Sequence, residues 1–291
     1  MAEPLTLMIV HAHPDDEAIG TGGTLARYAD EGVRTVLVTC TLGEEGEIVV
    51  PEWDTPDHHA RLGEIRYEEL RAAAALLGVQ HLELLGYRDS GMMGRPSNAH
   101  PECFWQADLD EATARLVRLV RRYRPQVLVS YNEQGGYGHP DHLQAHRITV
   151  AAFDAAGDPR RYPEAGRPWT PLKLYYISFR RALWLTVWQR MRERGLPTPM
   201  DAADFDAGGY VDDPRTTTTI DVSRYLARKL EAIRVHRTQI RPDWSWLAVP
   251  EDLRDELLTC EHFIRVASRV PVPPGEETDL FAGVRAHGSN V

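Results

Sequence analysis

Leu7-Met-Ile-Val-His-Ala-His-Pro-Asp-Asp-Glu17 and, further along, Val127-Leu-Val-Ser-Tyr131 followed by Gly138-His-Pro-Asp-His142 are the same phrase written twice. Each time a short apolar run leads to His-Pro-Asp, and each time a segment with helical periodicity follows. Short apolar runs of this length read as buried strands. Strand, motif and helix in that order, repeated, predict βαβ units on a parallel sheet. Proline suits the first position of a helix, where its missing N–H would be unpaired anyway. Pro14 and Pro140 are therefore expected to open helices. His13 and His139 would then stand at the strand-to-helix turns, with Asp15, Asp16, Asp141 and His142 in the first helical turns. Sites in open parallel sheets form outside the carboxyl ends of the strands, and both motifs would face that edge.

The rest of the chain fits this frame. Strands are expected at Leu5–His11, Arg34–Cys40, His81–Leu85, Gln126–Tyr131 and Leu172–Ile177. Helices are expected at Glu17–Glu31, His59–Leu77, Asp108–Tyr123 and Asp141–Ala155. The fold class is α/β, a Rossmann-like and mostly parallel sheet flanked by helices. Residues 1–178 are read as the catalytic core. Residues 179–291 are read as a less regular elaboration that packs on it and helps line the pocket. Within it Ala182–Arg194 and Ser223–Val235 read as helices and Thr216–Val222 as a strand. The stripe carrying Trp184 and Trp188 is core or a contact between subunits of a homo-oligomer.

The chain of 291 residues carries a net charge of −10. An acidic surface argues against nucleic acid as the main partner, because phosphate binding needs a basic footprint. Cys40, Cys103 and Cys260 are an odd number without zinc-finger spacing and read as reduced thiols. No secretory leader follows Met1 and no run approaches a membrane span. A cytoplasmic location is expected.

A catalytic zinc takes three protein ligands and leaves one position open. His13, Asp16 and His142 would supply two imidazoles and a carboxylate, a set that suits Zn²⁺ and also admits Fe²⁺. Asp15 is left beside the metal, where a carboxylate can take a proton from water. His139 is left on the other side, with Asp141 to orient it or raise its pKa. This kit suits hydrolysis of an amide. A lone His-Pro-Asp would be a helix cap and nothing more; two copies at equivalent strand ends exceed what capping needs. Gly20-Thr-Gly-Gly23 lacks the spacing of a dinucleotide fingerprint. His11 and His146 read as structural or supporting residues, and His58 and His59 as solvated.

At His13-Pro-Asp-Asp-Glu17 and Gly138-His-Pro-Asp-His142 the chain resembles the PIG-L, or LmbE-like, family of zinc-dependent N-deacetylases. Thr39–Glu47, Arg88-Asp-Ser-Gly91 and Gly135–His142 are similar to its mycothiol-pathway members. The resemblance implies zinc on His13, Asp16 and His142, Asp15 as general base, and His139 as acid or electrostatic partner backed by Asp141. It further implies that Tyr137 helps polarise the carbonyl and that Arg66 and Asp89 hold sugar hydroxyls, with Glu47 and Met92 lining the same pocket. The implied substrate is a small amino-sugar glycoside such as N-acetylglucosaminyl-inositol, which loses its acetyl group. Asp89-Ser-Gly-Met92 is similar to that deacetylase. Asp54–Gly86, Tyr162–Gly166 and Asp279–Val284 are more similar to the amidase that cleaves the cysteinyl amide of thiol conjugates. From another class, a non-catalytic metal- or sugar-binding protein would need neither Asp15 nor His139.

Overall fold

The computed structural model describes residues 4–198, 212–241, 243–244 and 247–287. Its centre is β1 (Thr6–His11), a strand buried along its whole length. Around it lie β2 (Arg34–Thr41), β3 (His81–Tyr87), β4 (Val127–Ser130) and β5 (Lys173–Ser178). These five are parallel, and the seven-stranded order is β3-β2-β1-β4-β5-β7-β6. Strands buried on both faces read as continuous apolar runs, which is how β1, β2 and β4 stand in the sequence.

The helices are α1 (Asp16–Asp30), α2 (Leu62–Leu77), α3 (Leu109–Tyr123), α4 (Pro140–Ala155), α5 (Arg181–Glu193), α6 (Leu226–Val235) and α7 (Glu251–Leu258). Asp108 caps α3 by accepting from the N–H of Glu111 at 2.9 Å. Gly78 ends α2 in the left-handed conformation. The helix expected from His59 begins at Leu62 instead, after a separate turn, Pro56–Ala60, capped by Thr55.

Two differences from the expected pattern matter. Pro140 does open its helix, with His139 as cap, but Pro14 does not: α1 starts at Asp16, and Asp15 caps it at φ 110°, ψ −33°. Beyond residue 178 the chain returns to the same sheet. β6 (Thr218–Asp221) and the unexpected nine-residue β7 (Cys260–Ser268) join it, β7 running antiparallel to both β5 and β6. β7 carries Glu261, whose carboxylate accepts from the N–H groups of Gly23 and Thr24 inside α1 and pairs with Lys229. Gly23 in α1 thus serves packing. A Cβ on Gly23 would lie 2.5 Å from Cβ of Val222. Among the described residues no helix is long and apolar enough to cross a membrane.

Candidate metal centre and active site

The sheet order reverses between β1 and β4, which are direct neighbours. A crevice opens at such a switch point, outside the strand ends. The two His-Pro-Asp motifs leave from these two strands, so pairing alone brings distant segments of the chain together.

There, Nδ1 of His13, Oδ2 of Asp16 and Nε2 of His142 form a nearly equilateral triangle. His13 and His142 are 3.3 Å apart, and Asp16 is 3.5 Å from each. A tetrahedral ion with ligands about 2.0–2.1 Å away would space its ligand atoms by roughly 3.3–3.4 Å. The three donors are therefore set as one face of a tetrahedron, and the residues fit a divalent metal. His139 lies close to His13 and His142 and belongs to the same buried cluster of candidate metal-binding groups.

Each donor is oriented from behind, as metal-binding side chains usually are. His142 Nδ1 bonds the carbonyl of Gly135 at 3.0 Å, which leaves Nε2 to face the triangle. Gly135 has φ 60°, and a Cβ there would come within 2.8 Å of Cβ of His142. Asp16 Oδ2 accepts from the Tyr131 hydroxyl at 2.7 Å and from the His13 N–H at 2.9 Å. His11 sits one layer further out, between Tyr131 and Thr21. His146 turns away, to the carbonyl of Tyr131.

Asp141 differs from its expected place. Its carboxylate bonds Nε2 of His13 at 3.2 Å and takes both the N–H and the hydroxyl of Ser90. Among the described residues His139 receives only the backbone N–H of Asp141, on Nδ1 at 3.2 Å. That contact leaves Nδ1 unprotonated and puts the proton of a neutral ring on Nε2. Burial, then the neighbouring His13 and His142, push His139 down to about 3, which favours the neutral ring. Burial also lowers His142, to about 4, against the pull of Asp16. For Asp16 burial works upward, but His142, His13 and His11 outweigh it and hold the carboxyl well below its usual range. Burial raises Asp15 to about 6, against the opposing charge of Arg66.

Two cavities meet at the triangle. One, of about 300 Å³, is polar and lined by Asp15, Glu47, Arg66, Asp89, Met92 and His139, among others. Arg66 is buried rather than solvated, donating to the carbonyls of Gly43 and Pro14 and to Asp15. Asp89 is buried, accepting from the N–H groups of Glu45 and Gly91. Glu47 is exposed and paired with Arg95, and Met92 is exposed at the rim. The other cavity, of about 700 Å³, is largely aromatic and apolar, lined by Tyr137, Phe179, Trp184, Trp188 and Trp244 beside Asp15, Asp16 and His142. Tyr137 borders both. Trp184 and Trp188 also pack against α7, forming a small second core. The roles of Tyr131 and Ser90 escaped the sequence reading, since each acts through a carboxylate far away in the chain, Asp16 and Asp141.

A protein-family comparison matches residues 8–153 to PIG-L, described as GlcNAc-PI de-N-acetylase. Similar curated proteins are named 1D-myo-inositol 2-acetamido-2-deoxy-alpha-D-glucopyranoside deacetylase. Those of Thermobispora bispora and Streptomyces avermitilis are 46% and 47% identical over 96% of this chain, and over 98% and 97% of their own lengths. Among solved structures, the N,N'-diacetylchitobiose deacetylase of Pyrococcus horikoshii shares the fold at a TM-score of 0.63 and 21% identity, covering 91% of this chain and 84% of its own. A family match over the switch-point half of the sheet, with near full-length relatives at 46% and 47% identity, settles kinship: the chain belongs to the PIG-L family.

Proposed function

We propose that this protein is a metal-dependent deacetylase that removes the acetyl group from the glucosamine unit of a small inositol glycoside. The observation that carries the reading is the triangle of His13, Asp16 and His142 with Asp15 beside it. The names of the full-length relatives supply the substrate class. Zinc held by these three side chains would polarise the amide carbonyl and acidify water; Fe²⁺ fits the same donors.

The chain's own residues do the rest. Asp15 is the general base, taking the proton of the attacking water. A carboxyl raised to about 6 by burial is poised to accept and return a proton near neutrality. His139 offers its Nε2–H to the oxygen on which negative charge develops, and the Tyr137 hydroxyl assists. Asp141 keeps His13 in the tautomer that presents Nδ1. In the polar cavity Arg66, Asp89, Glu47 and Met92 receive the sugar and inositol, and residues 179–291 supply the aromatic wall of the other cavity.

That aromatic cavity favours a second reading, cleavage of the bulkier cysteinyl amide in a thiol conjugate. Its volume of about 700 Å³ far exceeds what an acetyl methyl needs. One paired assay decides. Amine release is followed from N-acetylglucosaminyl-inositol and from a bimane conjugate of mycothiol, before chelation, after it, and after zinc is restored. Chelator-sensitive turnover of the first substrate supports the deacetylase, and of the second the amidase. Turnover that survives complete metal removal overturns both.

A further inference from the structure

Glu17, the last residue of the first motif, has no part in the chemistry above, yet it is fully buried. Its Oε2 accepts from the backbone N–H of Asp15 at 2.9 Å. Its Oε1 lies 2.7 Å from Nε2 of His236, which is equally buried and follows directly on α6. An acidic side chain with no partner would not be tolerated there; His236 is what keeps this one in place.

The N–H that Glu17 holds belongs to the peptide joining Pro14 to Asp15. The carbonyl of that same peptide accepts from Nη2 of Arg66 at 2.5 Å. One peptide plane is thus gripped at its oxygen by a guanidinium and at its nitrogen by a carboxylate. The grip has a purpose, because Asp15 is held at φ 110°, ψ −33°. Residues with side chains avoid such angles at a cost of about 1–3 kcal/mol, and keep them only where the surroundings over-determine them. Rotating this peptide would break both contacts and carry the Asp15 carboxylate away from the metal triangle.

We propose that Glu17 and His236 are positioning residues: together they lock the Pro14–Asp15 peptide in the orientation that aims Asp15 at the reacting water. The inference rests on Asp15 being the base. It makes the C-terminal part of the chain a contributor to catalysis through a residue that touches neither metal nor substrate.

The test uses the full-length, zinc-loaded protein with N-acetylglucosaminyl-inositol. His236→Leu removes the donor at similar bulk. The expected result is native circular dichroism and zinc content, kcat lowered by about 10–100-fold, and KM unchanged, the signature of a lost transition-state interaction. His236→Gln, which keeps an N–H donor, recovers most of the loss. In an Asp15→Ala background, His236→Leu costs no further rate, because coupled residues are not additive. If His236→Leu does not fold, His236→Met, which also lacks an N–H donor, takes its place with the same expected split. Unchanged kcat, or the same loss with and without Asp15, overturns the proposal and leaves a structural pair. Wild-type turnover in Asp15→Ala alone would instead remove Asp15 as base, a separate failure.

Discussion

Tyr131 shows what single atoms do at this centre. Its hydroxyl accepts from the Ala12 N–H at 2.8 Å and donates to Asp16 at 2.7 Å. Tyr131→Phe would leave a buried N–H unsatisfied and a metal-facing carboxylate less firmly held. We expect a loss of about 1–3 kcal/mol in urea unfolding and zinc affinity roughly 10-fold weaker in chelator competition. Asp141→Asn should weaken zinc binding by about 10–100-fold, since an amide cannot accept from His13 and from both donors of Ser90. Equal zinc affinity in that variant would show that His13 does not need its partner. That His13, Asp16 and His142 come together was legible, because two copies of one motif stood after two strands. The partnership of Asp141 with His13 was not. In sequence Asp141 stands two residues from His139, and only the tertiary packing of the Asp89–Gly91 loop under α4 turns the carboxylate to Ser90 and His13.

Among elements, α1 is the one whose composition conceals its role. Gly20 and the glycines at 22 and 23 look like weak points in a helix. Gly23 is the one that lets Val222 approach the helix backbone, where the Glu261 carboxylate takes the N–H groups of Gly23 and Thr24. Gly23→Ala would place a methyl group against Val222, and overpacking of this kind costs about 1–3 kcal/mol. A thermal melt reads the loss directly, and an unchanged midpoint would mean that Val222 yields freely. β1, β2 and β4 could be read because they are buried on both faces and largely apolar. β7 could not. It carries Glu261, His262 and Arg265 in nine residues, which breaks both the apolar run and the alternating pattern. Its charges are tolerated inside because each is met: Glu261 by Lys229 and α1, Arg265 by Glu277.

At the scale of the whole molecule, Glu277 ties the far end of the chain to the sheet. It is buried and accepts from Lys173, Tyr175 and Thr218. Burial works to raise its pKa, but Lys173, Tyr175 and Arg265 outweigh this and hold it below the usual value of 4.5. Its folded pKa lies below its unfolded one, so its stabilisation is complete above pH 4.5 and fades as pH falls through the folded value. Urea midpoints should therefore drop as the pH falls below about 4.5, and less steeply in Glu277→Gln. Equal slopes for the two proteins would remove Glu277 as a source of acid sensitivity.

β7 also dictates an order of events during synthesis. The five parallel strands have all been made by residue 178, but β6 pairs with nothing in the sheet except β7, which ends at Ser268. Until the ribosome has released that residue, β5 presents a raw edge and β6 waits beside it unpaired, the condition in which nascent sheets recruit wrong neighbours. His236 is also translated late. A growing chain can gather His13, Asp16 and His142 well before His236 can reach Glu17 and clasp the Pro14–Asp15 peptide. The centre would be able to hold its ion before it can cut an amide.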